Sequence, residues 1–551
     1  MGDNPAPSAQ QSRSDIEQQP PEKDSKVKKP RSFYITVTSI CLCVFISSVN
    51  TINFASALPA VASSLSATTT QAFWCGTVLL FAQCIAQPVY GAATEAFGRK
   101  RCMLAALVIF ALGSLLAALA RNIQWLIAVR AVQGLGGGGI NVCVNVIIVD
   151  LVPRRERAKL SGIVSLAGAL GLVVGVLSGS ALVQRSWRLM FWINLPIAGV
   201  AFLLFVFFLS LEEGQDNPLS RLKALDWTGI VICAGSVAGI LFALVNGGTE
   251  YAWSSANVLS PLIIGAVGVA GFFAFEGCIA GTHGLGPPFI PLRLFTSRTA
   301  ALGYLITFLQ AMILWAIPYY FLLYLHVSAS KTLVQSSVLL LPSTLILPPA
   351  AAVAGSLMSK LSRFKYFNVL AFTLMTGGCI GLATLRADPT TGQIVGYQVL
   401  FSLGGGILFP GRLVAVQAAQ QELSSGKPDD RADVRIATSL VSFTTSLGQA
   451  FGIAMGSTAL QSRWNPLVAR AIEIGRLPDN STYLVPGSQA ARSADIIAHF
   501  PDDIAAVYRD IAAESVAKVW YICIGLAAAG ILAALGSRNL DLDNKKSQQE
   551  G

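Results

Sequence analysis

The sequence predicts an all-α membrane protein, and three observations carry that reading. Of its 551 residues 53% are hydrophobic and only 12% charged, where soluble domains carry about 25% charged residues. Apolar runs recur along nearly the whole chain, and many reach roughly 20 residues, enough to cross a bilayer core as a helix. The cations fall in short clusters beside those runs, as the positive-inside bias requires. A barrel is excluded because its strands would be about ten residues of alternating polarity.

Fourteen candidate spans lie at about 33–58, 71–90, 102–120, 125–149, 160–183, 191–210, 227–246, 258–279, 299–323, 334–356, 367–385, 393–416, 436–459 and 516–536. Residues 1–32 are rich in Gln, Ser, Pro and charge, and 537–551 are similar, so both read as disordered tails that bury no core. The loops after the even-numbered spans hold most of the short-loop Lys and Arg. Those after the odd-numbered spans hold five, Arg121, Arg185, Arg188, Lys331 and Arg386. Both termini are therefore expected in the cytoplasm. The long segment 460–515 falls outside and carries the sequon Asn480-Ser481-Thr482, a glycosylation acceptor in a eukaryotic host and equally a chance triplet.

The net charge of +10 fits topology, or a polybasic surface for anionic lipid, and does not point to nucleic acid. Ten cysteines all lie in or beside apolar runs without metal spacing and read as small buried hydrophobes. No nucleotide-binding loop, catalytic triad or metal cluster occurs in the loops, so neither an enzyme, a cofactor protein nor an ATP-driven pump is expected.

Charges deep in a span are costly and therefore informative. Arg130 lies in "LIAVRAVQGLGGGGINVCVNVIIVD", where helical spacing puts Gln133, Gly134, Asn141 and Asn145 near the same face. Such a stripe suits a helix facing a water-filled cavity; an arginine snorkelling to the interface is the competing reading. Gly171, Gly175 and Gly179 stand four apart on span 5 and make a bare ridge for close helix approach or a hinge. Amides and aromatics at membrane depth, Asn50, Asn53, Gln83, Gln87, Asn141, Gln310, Trp315 and Tyr319, are candidates for a substrate surface, against core or interface packing. Between spans 2 and 3, "GAATEAFGRKR" sets Glu95 before Arg99, Lys100 and Arg101.

These residues assemble a known pattern. Gly91, Glu95, Gly98, Arg99 and Lys100 resemble the loop signature of the major facilitator superfamily, G-x-L-a-D-r-x-G-r-k. "RAVQGLGGGG" from Arg130 is similar to its fourth-helix motif. "DLVPRRERAKLSG", "SWRLMFWINLPIAG", "ALDWTGI", "FIPLRLF" and "SLGGGILFP" resemble the fourteen-span drug:H⁺ antiporter branch, as in fungal toxin and multidrug efflux pumps. The resemblance runs over about 33–536.

It implies the major facilitator fold: a six-helix bundle over 33–211, a linker with spans 7 and 8 over 212–280, and a second bundle over 281–536. It further implies a monomeric secondary transporter exporting a small hydrophobic compound by alternating access, with protons as the expected driving ion, in the cell membrane or the vacuolar membrane. An importer or uniporter of a siderophore-like or nutrient solute, and a non-transporting membrane sensor, are the alternatives. By the same resemblance Gly91, Glu95, Gly98, Arg99, Lys100 and Asp150 form a cytoplasmic latch, with Glu95 reaching the end of span 11 and Arg99 reaching Asp150. Arg130, Gln133 and Gly134 serve coupling or gating. Three positions depart from the pattern: Glu95 replaces Asp, Asn50 stands where the branch usually has Asp, and Val176 stands where span 5 normally has proline. An amide exchanges no proton near neutral pH, so Asn50 removes an expected proton carrier.

Overall fold

The computed structural model describes residues 30–152, 154–209, 226–248, 251–279, 290, 292–361, 363–424, 430–478 and 483–538. Almost all of both expected tails, and Asn480, lie outside them. Fourteen membrane helices follow one another: α1 Arg31–Ser64, α2 Thr69–Phe97, α3 Arg99–Ala118, α4 Ile123–Leu151, α5 Arg154–Val183, α6 Leu189–Phe208, α7 Trp227–Asn246, α8 Ala256–Ile279, α9 Arg298–Val327, α10 Leu333–Leu361, α11 Lys365–Ala383, α12 Thr391–Ser424, α13 Asp430–Glu473 and α14 Asp502–Gly536. Among the described residues there is no strand, only one isolated bridge between Gly247 and Tyr251.

Thirteen of these helices are long and apolar enough to cross a bilayer. The exception is α13, whose middle is interrupted by Thr444, Thr445, Ser446 and Gln449. It keeps its place because it packs between α2, α7, α9, α12 and α14 and offers little surface to lipid. The last two helices also outrun their predicted spans. Their added turns, Leu460–Glu473 and Asp502–Ser515, are amphipathic and pack on the segment 483–500 that joins them.

Helix starts follow local capping chemistry. Thr68 and Gln71 cap each other's backbone N–H groups at the head of α2. The same Thr-x-x-Gln exchange opens α10 (Thr332, Gln335) and α12 (Thr390, Gln393). Gly98, at φ +87°, breaks α2 from α3, a conformation for which glycine has no steric penalty.

Helices α1–α6 and α9–α14 form two bundles with matching packing. In the first, α5 lies on α1 and α4 on α2 and α3; in the second, α13 lies on α9 and α12 on α10 and α11. Glycine ridges make both pairs of contacts possible. On α5, β-carbons at Gly171, Gly175 and Gly179 would stand 2.5 Å from Phe45 O, 2.3 Å from Ile52 Cγ2 and 2.4 Å from Asn53 O. On α13, Gly448, Gly452 and Gly456 meet Phe308 O, Met312 O and the Tyr320 ring in the same way, at 2.6, 2.3 and 2.1 Å. The bundles meet along two related seams, α2 with α13 and α5 with α10. Helices α7 and α8 pair with each other, and α7 rests on α13 and α2.

Candidate functional site

A pocket with about 530 Å³ of space free of protein atoms, open solvent included, lies between the bundles. Ile52 of α1 and Leu172 of α5 line it from one bundle. Leu314, Trp315, Ile317 and Pro318 of α9, Leu340, Ser343, Thr344 and Leu347 of α10, and Phe401, Ser402 and Phe409 of α12 line it from the other. A π-helical turn in α9, Ile317–Phe321, begins within this wall; such bulges are frequent at functional sites. Pro318 sits in that turn and cannot complete a regular α-helical ladder. The lining is apolar apart from three hydroxyls and the Trp315 indole. Ser343 and Thr344 donate to their own helix, at Leu340 O (2.7 Å) and Leu341 O (3.0 Å). Ser402 Oγ and Trp315 Nε1 are buried without a hydrogen-bond partner.

A buried polar knot lies inside the first bundle. Arg130 is 0% exposed, so the snorkelling reading does not hold. Its Nη1 donates to Gln133 Oε1 at 2.8 Å and to Asn50 Oδ1 at 3.4 Å, and its Nε to Cys75 O at 3.4 Å. The guanidinium also stands 4.8 Å from the Phe54 ring centre and 5.7 Å from that of Phe191. Gln133 Nε2 donates on to Asn50 Oδ1 (3.0 Å) and Ser114 Oγ (2.7 Å), and Asn194 Nδ2 joins at Asn50 Oδ1 (3.2 Å). Five helices, α1, α2, α3, α4 and α6, are thereby tied through one cation and a set of neutral dipoles. Among the described residues Arg130 forms no ion pair.

The other predicted residues are divided among several places. Asn53 Nδ2 donates to Met190 O (3.4 Å), Gln87 Nε2 to Ser446 Oγ (2.9 Å) across the α2–α13 seam, and Gln310 Nε2 to Gly405 O (2.9 Å). Asn141 is half-buried and accepts from Ser47 Oγ (3.5 Å), Gln83 packs on Gly137, and Asn145 is exposed. Gly134 seats α4 on Leu79 O of α2. Tyr319 is buried against Gly76 and Phe73. Of the eight substrate-surface candidates only Trp315 lines the pocket; the amides bond other polar side chains and the backbone within and between the bundles. The lining residues that went unread, Ser343, Thr344, Phe401, Ser402 and Phe409, sit beside Pro342 and Pro410 in "LPSTL" and "FSLGGGILFP", and those prolines were the available signal.

At the far end of α2, Gly91 is half-buried with open space around its Cα, and Gly98 makes the turn. Arg99 Nε lies 2.7 Å from Asp150 Oδ2 at the end of α4, and Lys100 Nζ donates to Val206 O on α6 at 2.8 Å. Both contacts stay within the first bundle. The side chain of Glu95 lies outside the described residues, as do those of 154–159.

The profile of the Major Facilitator Superfamily matches residues 40–453. The chain belongs to that superfamily. Among relatives of this facilitator, MFS transporter L2 of a Phoma species is 32% identical over 99% of this chain and 88% of its own length. The acurin A biosynthesis cluster MFS-type transporter of Aspergillus aculeatus is 32% identical over 93% of this chain and 90% of its own. Efflux pump FUS6 of Gibberella moniliformis is 30% identical over 96% and 92%. Among solved structures, an inward-facing, unoccupied bacterial homologue of the human lysosomal transporter Spinster superposes with a TM-score of 0.59 at 15% identity, covering 92% of this chain and 98% of that one. This last likeness concerns the fold. The facilitator is thus a multi-pass membrane transporter of small molecules and not an enzyme.

Proposed function

We propose that this facilitator exports a small, largely apolar organic compound, a toxin, secondary metabolite or drug, by rocking its two bundles about the pocket between α1, α5, α9, α10 and α12. The pocket carries the reading. It lies between the bundles, and its walls are predominantly apolar with a few polar groups among them, the usual make-up of a small-molecule site. The seams α2–α13 and α5–α10 are the surfaces that would part and re-form on either side of it. Export, rather than uptake, is supported by relatives whose printed names are efflux pumps and a biosynthesis-cluster transporter.

Arg130, Gln133 and Gly134 would transmit the motion through the knot, and Arg99, Lys100 and Asp150 would brace the charged turn as the bundles move. The positive-inside bias supports cytoplasmic termini in the cell membrane, with the vacuolar membrane as the other site. A monomer suffices, since each chain encloses its own pocket. Proton antiport would supply the energy. A uniport mechanism is favoured by one observation: Asn50, Gln133, Ser114 and Asn194 around Arg130 include no carboxyl group. Purified protein in proteoliposomes separates the readings. Efflux that responds to an imposed pH gradient and stalls with an ionophore supports antiport, flux indifferent to both supports uniport, and no flux of any apolar solute sinks the export proposal.

A further inference from the structure

Two buried arginines stand behind the walls of the pocket, and among the described residues neither has an anion. Arg130 is held by Asn50 and Phe54 on the face of α1 turned away from Ile52, which lines the pocket. It also lies within electrostatic reach of Tyr319, the neighbour of Pro318 in the lining. Arg412, 7% exposed, stands 4.9 Å from the centre of the Phe409 ring, itself part of the wall. Its Nη1 donates to Thr445 Oγ1 at 3.0 Å.

Donors without acceptors accompany the two charges: Arg130 Nη2, Arg412 Nε, Trp315 Nε1 and Ser402 Oγ are all buried and unpartnered. No carboxylate lines the pocket. Unmatched cations at membrane depth are costly, and in low-dielectric surroundings the field of a cation behind the wall reaches further than it would in water.

Building on the reading of this pocket as the cargo site, we propose that it selects organic anions, a carboxylate or enolate carried on an apolar ring system, and rejects organic cations. The apolar walls from Leu172, Leu314, Leu347 and Phe401 take the rings. The Trp315 and Ser402 donors take the anionic oxygens, and the fields of Arg130 and Arg412 set the sign.

The test uses the full chain in lipid nanodiscs with three probes sharing one ring system: 9-anthracenecarboxylate, its neutral methyl ester, and protonated 9-(aminomethyl)anthracene. Energy transfer from tryptophan to anthracene reports equilibrium binding. The acid is expected to bind at least about tenfold tighter than the ester, and the amine not at all. Arg412→Gln should bring acid and ester to similar affinity, while Arg412→Lys, which keeps the charge, should retain the preference; thermal unfolding checks that each variant is folded. Equal binding of the three probes, a preference for the amine, no binding by any probe, or discrimination unchanged in a folded Arg412→Gln protein would each overturn the proposal. Binding of the acid without its flux in proteoliposomes would leave the anion preference standing and defeat the export reading instead.

Discussion

Asn50 turns its side-chain carbonyl toward Arg130, with Oδ1 3.4 Å from Nη1, and the same oxygen accepts from Gln133 at 3.0 Å and Asn194 at 3.2 Å. Three donors converging on one atom settle which way the amide faces. Its nitrogen, Nδ2, is buried without a partner. The knot therefore holds a charge in place with dipoles alone, at a point where a carboxylate would sit without displacing a single bond.

Asn50→Asp tests that geometry. The new oxygen replaces an unpartnered nitrogen, so no hydrogen bond is lost, and the bond to Arg130 becomes one between opposite charges, which is stronger than one to a neutral amide. Ionised, the side chain should raise the thermal midpoint in detergent at neutral pH. The gain is present while the carboxylate is ionised and disappears as pH falls through its folded-state pKa. Midpoints measured against pH should show this acidic limb in the variant and not in the parent protein; superimposable profiles would refute the placement of Asn50 against Arg130.

Arg130→Ala should abolish efflux with membrane abundance retained, because the bundle keeps its packed glycine seams while the knot loses the cation that α1, α2, α4 and α6 share. Arg130→Lys should recover little. A single ammonium cannot reproduce the fork that reaches Gln133, Asn50 and Cys75 together. Flux normalised to protein in the membrane is the measurement, and unaltered efflux in Arg130→Ala would remove the residue from the mechanism.

The Arg99–Asp150 pair leaves 30% and 31% of its side chains exposed, so its worth to stability is small, about 0–1 kcal/mol. Asp150→Asn should therefore leave the thermal midpoint within a degree or two, on the order expected for so small a change in a large domain, while turnover falls. Exchanging the two charges, Arg99→Asp with Asp150→Arg, should restore turnover. Glu95→Gln should also slow turnover if that carboxylate braces the same turn. Stopped-flow efflux at saturating cargo checks all three variants.

Helix number and order were legible because lipid demands long apolar runs, and every predicted span is found within a helix or close to its ends. The exception in apolarity, α13, is also where legibility failed for packing. Its Ser, Thr and Gln face other helices rather than lipid, and among them Gly448, Gly452 and Gly456 did not stand out as Gly171, Gly175 and Gly179 had done on the greasier α5. The pocket was less legible for a different reason. An amide at membrane depth is expensive unless paired, so Asn53, Gln87 and Gln310 are spent on contacts within and between bundles. The wall is left to Leu172, Phe401 and Phe409, whose residue types are the commonest in any span.

The two glycine ridges provide the most direct check on the paired architecture. A leucine at Gly175 would drive a side chain into Ile52, and one at Gly452 into the backbone oxygen of Met312, 2.3 Å from the β-carbon. Overpacking of this kind typically costs about 1–3 kcal/mol, so each should lower the thermal midpoint clearly. Because Gly175 joins α5 to α1 and Gly452 joins α13 to α9, in separate bundles, their effects should add in the double variant. Gly199→Leu on α6 meets nothing within 4 Å and should leave the midpoint unchanged. Midpoints that fail to separate Gly175 and Gly452 from Gly199 would mean that the helices are not seated on these ridges.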